Sequence, residues 1–232
     1  SPEAKSDAGA LGPKSDPKGD PKRTDLITHE AVKFIEQNKG RPFFAYLPFN
    51  APHVPIGARA DLVAKWQEKA KQAPDDAWGH ERANQVRLVQ NNPVYAAMLE
   101  QFDEGVGRVV AALEQHGLTD KTIVVFMSDN GGLATAEGHP TANLPLRAGK
   151  GWPYEGGVRE PMIVVAPGVT KPGTTCDSPV ISTDFYPTLL QLAGLDVKGF
   201  EFLVQHFKLF LEVLVAHLLT RRHADVAAGV ER

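Results

Sequence analysis

The sequence is poor in three features, and each shortage excludes a class of protein. It has one cysteine, Cys176, in 232 residues, which excludes an internal disulfide and any zinc site built from several thiolates. It has no surplus of one charge: 25 Lys and Arg stand against 28 Asp and Glu, a net charge of −3. No basic face of the kind nucleic acid selects is therefore expected. It also lacks a clean apolar run of the ~20 residues that a membrane span needs. The longest apolar stretch, FEFLVQHFKLFLEVLVAHLL from Phe200, is broken at helical spacing by Glu201, Gln205, Lys208 and Glu212.

What is present is ordinary for a folded chain. Hydrophobic residues make up 42% and charged residues 23%, enough for one large domain or two small ones. Residues 1–23 are rich in Pro, Gly, Ser and alternating charge, with almost nothing to bury, and read as a flexible tail or loop. The chain opens on Ser1 with no positive-then-apolar leader, so either a leader has been removed or the first residue is not a native start.

TDLITHEAVKFIEQNKG predicts a helix with Thr28 as N-cap and Gly40 as its stop. A strand is expected from about Pro42 to Leu47, followed by a proline-stiffened segment. Residues 61–92 suggest a helix or two and an excursion loop. The clearest helix runs from Pro93 to Gly117, with Leu99, Phe102, Val106, Val109, Val110 and Leu113 as its apolar stripe. KTIVVFM and PMIVVAP read as short buried strands, and STDFYPTLLQLAG as a capped helix ending at Gly194. Strands separated by helices in this order predict an α/β fold, a three-layer sandwich with a mostly parallel sheet. Phe200 to Arg222 predicts an amphipathic helix whose oversized apolar face packs on this domain or on a partner.

Two expected strands end on polar groups, one at Asn50 and His53, the other at Asp129 and Asn130. In an open α/β sheet both sets fall on the ligand-binding edge. Asp129 and Asn130 offer hard oxygen donors, suited to calcium or magnesium rather than zinc. Taken alone, DNGG reads more simply as a turn, and two donors do not fill a shell of six to eight. His53, between Pro52 and Pro55, is held in an extended backbone, and its imidazole suits anion binding or proton transfer. Lys150, between Gly149 and Gly151, can bring a compact positive charge close to an oxyanion. A loop histidine and a surface lysine without a role remain the simpler readings of each residue by itself.

With these four residues in hand, the chain resembles the sulfatases of the alkaline phosphatase superfamily. The resemblance rests on FFAYLPFNAPHVP, NPVYAAMLEQFDEGVGRVVAALEQHGLTDKTIVVFMSDNGG, NLPLRAGKGWPYEGGVREPMIVVAPG and STDFYPTLLQLAGL, and covers about residues 24–195. It implies hydrolysis of a sulfate ester, with Asp129 and Asn130 as ligands to a calcium ion, magnesium being the lesser choice. Lys150 and His53 would be catalytic and substrate-binding residues, with Arg147 and Glu155 as supports around the lysine. It also implies a formylglycine nucleophile made from a C/S-x-P-x-R motif, and this sequence contains none. TTCDSPVIS around Cys176 lacks that spacing.

The reading is therefore of a C-terminal part of a sulfatase catalytic domain at 24–195, with the N-terminal strands and nucleophile segment missing and the isolated chain inactive. Residues 196–232 form a helical tail of unclear origin, with self-association through 200–222 an open option. The partner implied is a small-molecule or saccharide sulfate ester, and the compartment implied is periplasmic or extracellular. A phosphodiesterase or phosphonate hydrolase of the same superfamily, or a non-catalytic remnant with an interaction helix, are the alternatives.

Overall fold

The structure, a computed structural model, describes residues 19–195. The expected helical tail at 196–232 and most of the expected flexible tail at 1–23 lie outside those residues. The chain divides into two compact units, Ser1–Ile163 and Val164–Arg232.

The first unit begins with helix α1, Thr24–Asn38. Its cap is not Thr28. The carboxylate of Asp20 accepts hydrogen bonds from the backbone N–H groups of Asp25 (3.2 Å) and Leu26 (2.9 Å), doing from outside the helix what an N-cap side chain usually does. Thr28 instead sits fully buried within α1, its hydroxyl donating to the Thr24 carbonyl at 2.8 Å. Helix α2, Ala60–Ala70, follows, and the long helix α3 spans Pro93–Gln115. At α3 the expected start holds: Pro93 occupies the first turn, and the Asn92 side chain accepts from the N–H groups of Val94 and Tyr95.

Both α1 and α2 pack on α3. Buried Gln101 joins them, its amide donating to Asp25 at 2.9 Å and its oxygen accepting from the Arg59 N–H at 3.0 Å, so a polar group in the core is satisfied on both sides. The buried face of α3 is Ala97, Met98, Gln101, Gly105, Ala112 and Leu113. The expected stripe is thus shifted: Leu99 and Val110 are exposed. Small residues face α1 because the helices approach closely. A Cβ on Gly105 would stand 2.5 Å from the Thr28 hydroxyl.

The α/β class holds, and of the expected three-layer sandwich with a mostly parallel sheet the described residues establish only smaller pieces. They contain two two-stranded sheets. Strands β1, Trp78–Glu81, and β2, Asn84–Arg87, make an antiparallel hairpin with Trp78 opposite Arg87 and Glu81 opposite Asn84. Strand β3, Val124–Met127, pairs with β4, Met162–Val165, between which lies the short helix α4, Glu155–Val158. Residues 42–47 form no strand. A strand exists only where a neighbour takes up its backbone groups, and Phe44 and Tyr46 are instead 74% and 77% exposed.

In the second unit, helix α5, Phe185–Leu192, forms as expected behind a 3-10 turn at Ser182–Asp184. It ends with Gly194 at φ 72° and the Leu195 N–H donating back to the Leu190 carbonyl at 2.9 Å. Among the described residues no helix is long and apolar enough to cross a membrane.

The α1–α3 contact makes a direct prediction. Gly105→Ala should cost about 1–3 kcal/mol in urea unfolding, the usual penalty for forcing a methyl into a packed contact. Adding Thr28→Ala, which removes the clashing hydroxyl, should restore most of that loss.

Candidate functional site

The site is organised by backbone meeting backbone. A Cβ on Gly131, just beyond β3, would lie 1.8 Å from the Gly156 carbonyl oxygen, and one on Gly156 would lie 2.4 Å from the carbonyls of Arg147 and Ala148. Any side chain at either position would drive three segments apart: the end of β3, the loop carrying Lys150, and α4. Hydrogen bonds close the same cradle. The Gly131 N–H donates to Gly157, the Lys150 N–H to Gly132 and the Gly156 N–H to Arg147, at 3.2, 3.1 and 2.8 Å. The Asn143 amide donates to the carbonyls of Gly132 and Ala148. The sequence reads Gly131 and Gly132 as a turn and Gly149 as room for a ligand, and assigns nothing to Gly156. Their freedom is spent instead on packing the loop against the strand end.

Lys150 and His53, 97 residues apart in sequence, meet: Nζ lies 2.7 Å from Nε2. The other ring nitrogen, Nδ1, lies 2.7 Å from the Val54 carbonyl. A carbonyl only accepts, so Nδ1 carries the hydrogen and Nε2 offers its lone pair to the ammonium. The backbone that sets this ring is turned rather than extended, with the His53 N–H donating to the Asn50 carbonyl at 2.9 Å.

His53 also lines a cleft of about 190 Å³ with Pro21, Lys22, Arg23, Asn50 and Val54. Two cations and an imidazole around one small cleft suit an anion. Burial pulls the Lys22 ammonium below its ordinary range, so an incoming anion would restore it. Lys22 and Arg23 were missed by sequence reasoning because they fall in a stretch whose composition reads as a tail.

Asp129 and Asn130 follow β3 as expected, with the Ser128 hydroxyl donating to the Asn130 carbonyl at 2.8 Å. Nearby stands a carboxyl that the sequence did not flag. Both oxygens of Glu160 are buried without a hydrogen-bond partner, and burial, reinforced by the charge of Asp129, pushes its carboxyl up. Two carboxylates and an amide, with the Glu160 oxygens unpartnered, are the donor chemistry that fits a hard divalent cation. Among the described residues no three His, Cys, Asp or Glu side chains assemble into a metal cage, so these donors by themselves do not complete a metal site.

The two expected supports divide. Arg147 makes a two-pronged contact with Glu81 of β1, Nε to Oε2 at 2.7 Å and Nη2 to Oε1 at 2.8 Å, and its guanidinium lies 3.8 Å from the centre of the Tyr154 ring. It therefore ties the Lys150 loop to the hairpin. Glu155 pairs with Arg159 one turn along α4, both in solvent, and touches neither Lys150 nor His53. The hairpin is further fixed by Arg87, whose N–H donates to Ala134 at 2.8 Å and whose guanidinium reaches Asp76 and the His139 carbonyl. Cys176 is free and exposed.

A family model described as Sulfatase matches residues 10–195. A sulfatase of Formosa agariphila is 42% identical over 188 residues, which cover 76% of this chain and 31% of that protein. Mouse arylsulfatase J is 36% identical over 168 residues, covering 72% of this chain and 23% of the relative. The chain thus spans less than a third of the length of these two relatives. Among solved structures, Ps i-CgsB in complex with k-i-k-neocarrahexaose superposes with a TM-score of 0.63 at 35% identity, over 78% of this chain and 36% of that one.

Opposite acid responses are expected of the two glutamates. The Arg147 hydrogen bonds hold Glu81 below the usual carboxylate range. Its contribution is present above the unfolded-state value and is lost as pH falls through the lower folded value. Glu81→Gln should therefore flatten the acid limb of a stability–pH curve. Glu160 is raised, so its ionisation opposes folding as pH rises through its folded value. Glu160→Gln should raise the unfolding temperature at neutral pH in the absence of divalent cation.

Proposed function

Because the chain belongs to the sulfatase family, we propose that it carries the sulfate-holding side, and part of the metal-holding side, of a sulfuric ester hydrolase. The observation that carries this reading is the Lys150–His53 contact at 2.7 Å. A cation and a neutral imidazole brought together from distant parts of the chain, beside a cleft lined by Lys22 and Arg23, form a binding surface for a tetrahedral anion.

In this reading Lys150 binds the sulfate oxygens and offsets the charge that develops on them during ester cleavage. His53, with Nδ1 committed to the Val54 carbonyl, presents Nε2 to a sulfate oxygen or to the leaving-group oxygen, where it can hold or pass on a proton. Asp129 and Asn130 would hold calcium, or less readily magnesium, with Glu160 beside them. The metal would supply Lewis-acid polarisation of the sulfate. Arg147 keeps the lysine loop against the hairpin through Glu81. The finer architecture, an incomplete three-layer sandwich, belongs to the same reading. The sequence contains no C/S-x-P-x-R motif, so a nucleophile would come from outside these 232 residues, and the isolated chain binds without turning over. A sulfated saccharide is supported as substrate by the oligosaccharide in the 35% identical structure.

The test is calorimetric titration of the full chain with inorganic sulfate. Lys150→Met should weaken binding by about tenfold or more, the effect of losing one charge-assisted contact. Unchanged affinity in Lys150→Met and in His53→Ala would overturn the reading. Calcium should raise the unfolding temperature of the wild type and fail to do so in Asp129→Asn.

A further inference from the structure

A chain of alternating cations and aromatic rings stands beside Lys150. Arg82 lies over the Trp152 ring at 5.7 Å, Trp152 stacks on Tyr154 with centroids 6.1 Å apart and planes at 12°, and Arg147 covers Tyr154 at 3.8 Å. The two arginines are not equivalent. Arg147 is paired directly with Glu81, whereas among the described residues no carboxylate lies within ion-pair distance of the Arg82 guanidinium, which interacts with Glu81 only at longer range. Arg82 is exposed at the hairpin tip, and Trp152 and Tyr154 are half-buried.

The backbone adds an independent observation. Arg82 occupies the two-residue connection between β1 and β2 with φ 55°, a left-handed conformation that is strained for a residue with a side chain and free for glycine. A hairpin tip ordinarily favours Gly, Asn or Asp there. Here the position holds a long cation instead, aimed at the ring two residues from Lys150.

We propose that Arg82 and Trp152 form a second binding subsite, which takes a sulfated saccharide carrying a further anionic group on or next to the ring that bears the scissile ester. This rests on the reading of Lys150 as the sulfate-binding cation. Two residues separate Cα atoms by at most about 7 Å, so the backbone that carries the indole lies within one sugar unit of the backbone that carries the lysine. The apolar C–H face of a pyranose packs on the indole, an aromatic surface that loses little entropy on binding. The guanidinium of Arg82, unengaged by any direct ion pair among the described residues, takes the second sulfate or carboxylate in its planar fork.

The experiment compares three probes on the full chain by calorimetry: inorganic sulfate, a galactan disaccharide with one sulfate, and the same disaccharide with two. The wild type should prefer the disulfated sugar. Arg82→Gly should lower that affinity about tenfold, to the level of the monosulfated sugar. It should leave inorganic sulfate binding unchanged and keep or raise the unfolding temperature, because glycine relieves the left-handed backbone. Trp152→Ala should weaken both sugars and spare inorganic sulfate.

A purely structural arginine gives the opposite pattern, with the unfolding temperature and all three affinities falling together, and that result overturns the proposal. So does an unchanged preference in Arg82→Gly, or a wild type that binds inorganic sulfate without distinguishing the two sugars. Failure to bind even inorganic sulfate refutes the role of Lys150 as well, which separates the two readings.

Discussion

The contact on which the rest depends is that of Gly131 with the Gly156 carbonyl. No residue with a side chain fits there, since its Cβ would lie 1.8 Å from the oxygen, and no flexible group can yield to make room. This contact brings the end of β3, the loop from Arg147 to Trp152 and the start of α4 into one cradle. Lys150 extends from that cradle to His53, while Asp129 and Asn130 project from the strand end beside it. A lysine on an unanchored loop would lose backbone as well as side-chain freedom whenever it bound an anion. One whose backbone is pinned to Gly132 has met part of that cost on folding.

Charge in the first unit is arranged so that some groups are satisfied and others are left wanting. Glu81 and Arg147 complete one another, and Gln101 is used on both sides in the helical layer. Glu160 has buried oxygens without a partner, Lys22 is pulled down by burial, and Arg82 makes no direct ion pair among the described residues, with Glu81 acting on it only at longer range. The unsatisfied groups gather near Asp129, His53 and Lys150. A folded chain tolerates such deficits where a ligand or ion removes them, and the surroundings of Glu160 call for positive charge while those of Lys22 and Arg82 call for negative.

The candidate site was legible where chemistry and local sequence coincide. Asp129 and Asn130 close a run of β-branched residues, and Lys150 lies between glycines, so position and residue type together singled them out. His53 was found beside its prolines, although its backbone turns where an extended path was expected. The hairpin was not legible. Its two-residue tip, Arg82–Ala83, carries none of the Gly or Asn that marks such turns, and its strands alternate too briefly to register. The α3 stripe was misplaced because periodicity identifies apolar residues, whereas close helix packing selects small ones such as Ala97 and Gly105. The strand expected at 42–47 failed for want of a neighbour, which no local pattern records. Glu160 and Asp20 gave no signal, since their roles come from burial and from a helix start that depends on the path of the chain.

The central claim is that the cradle delivers Lys150 to a neutral, oriented His53, and the state of that ring tests it most directly. The 15N chemical shifts of the His53 imidazole should report a hydrogen on Nδ1 and a bare Nε2, with Nε2 moving on addition of sulfate. In Lys150→Met the Nε2 resonance should shift before any sulfate is added. A ring found with its hydrogen on Nε2, indifferent both to Lys150 and to sulfate, would contradict the account.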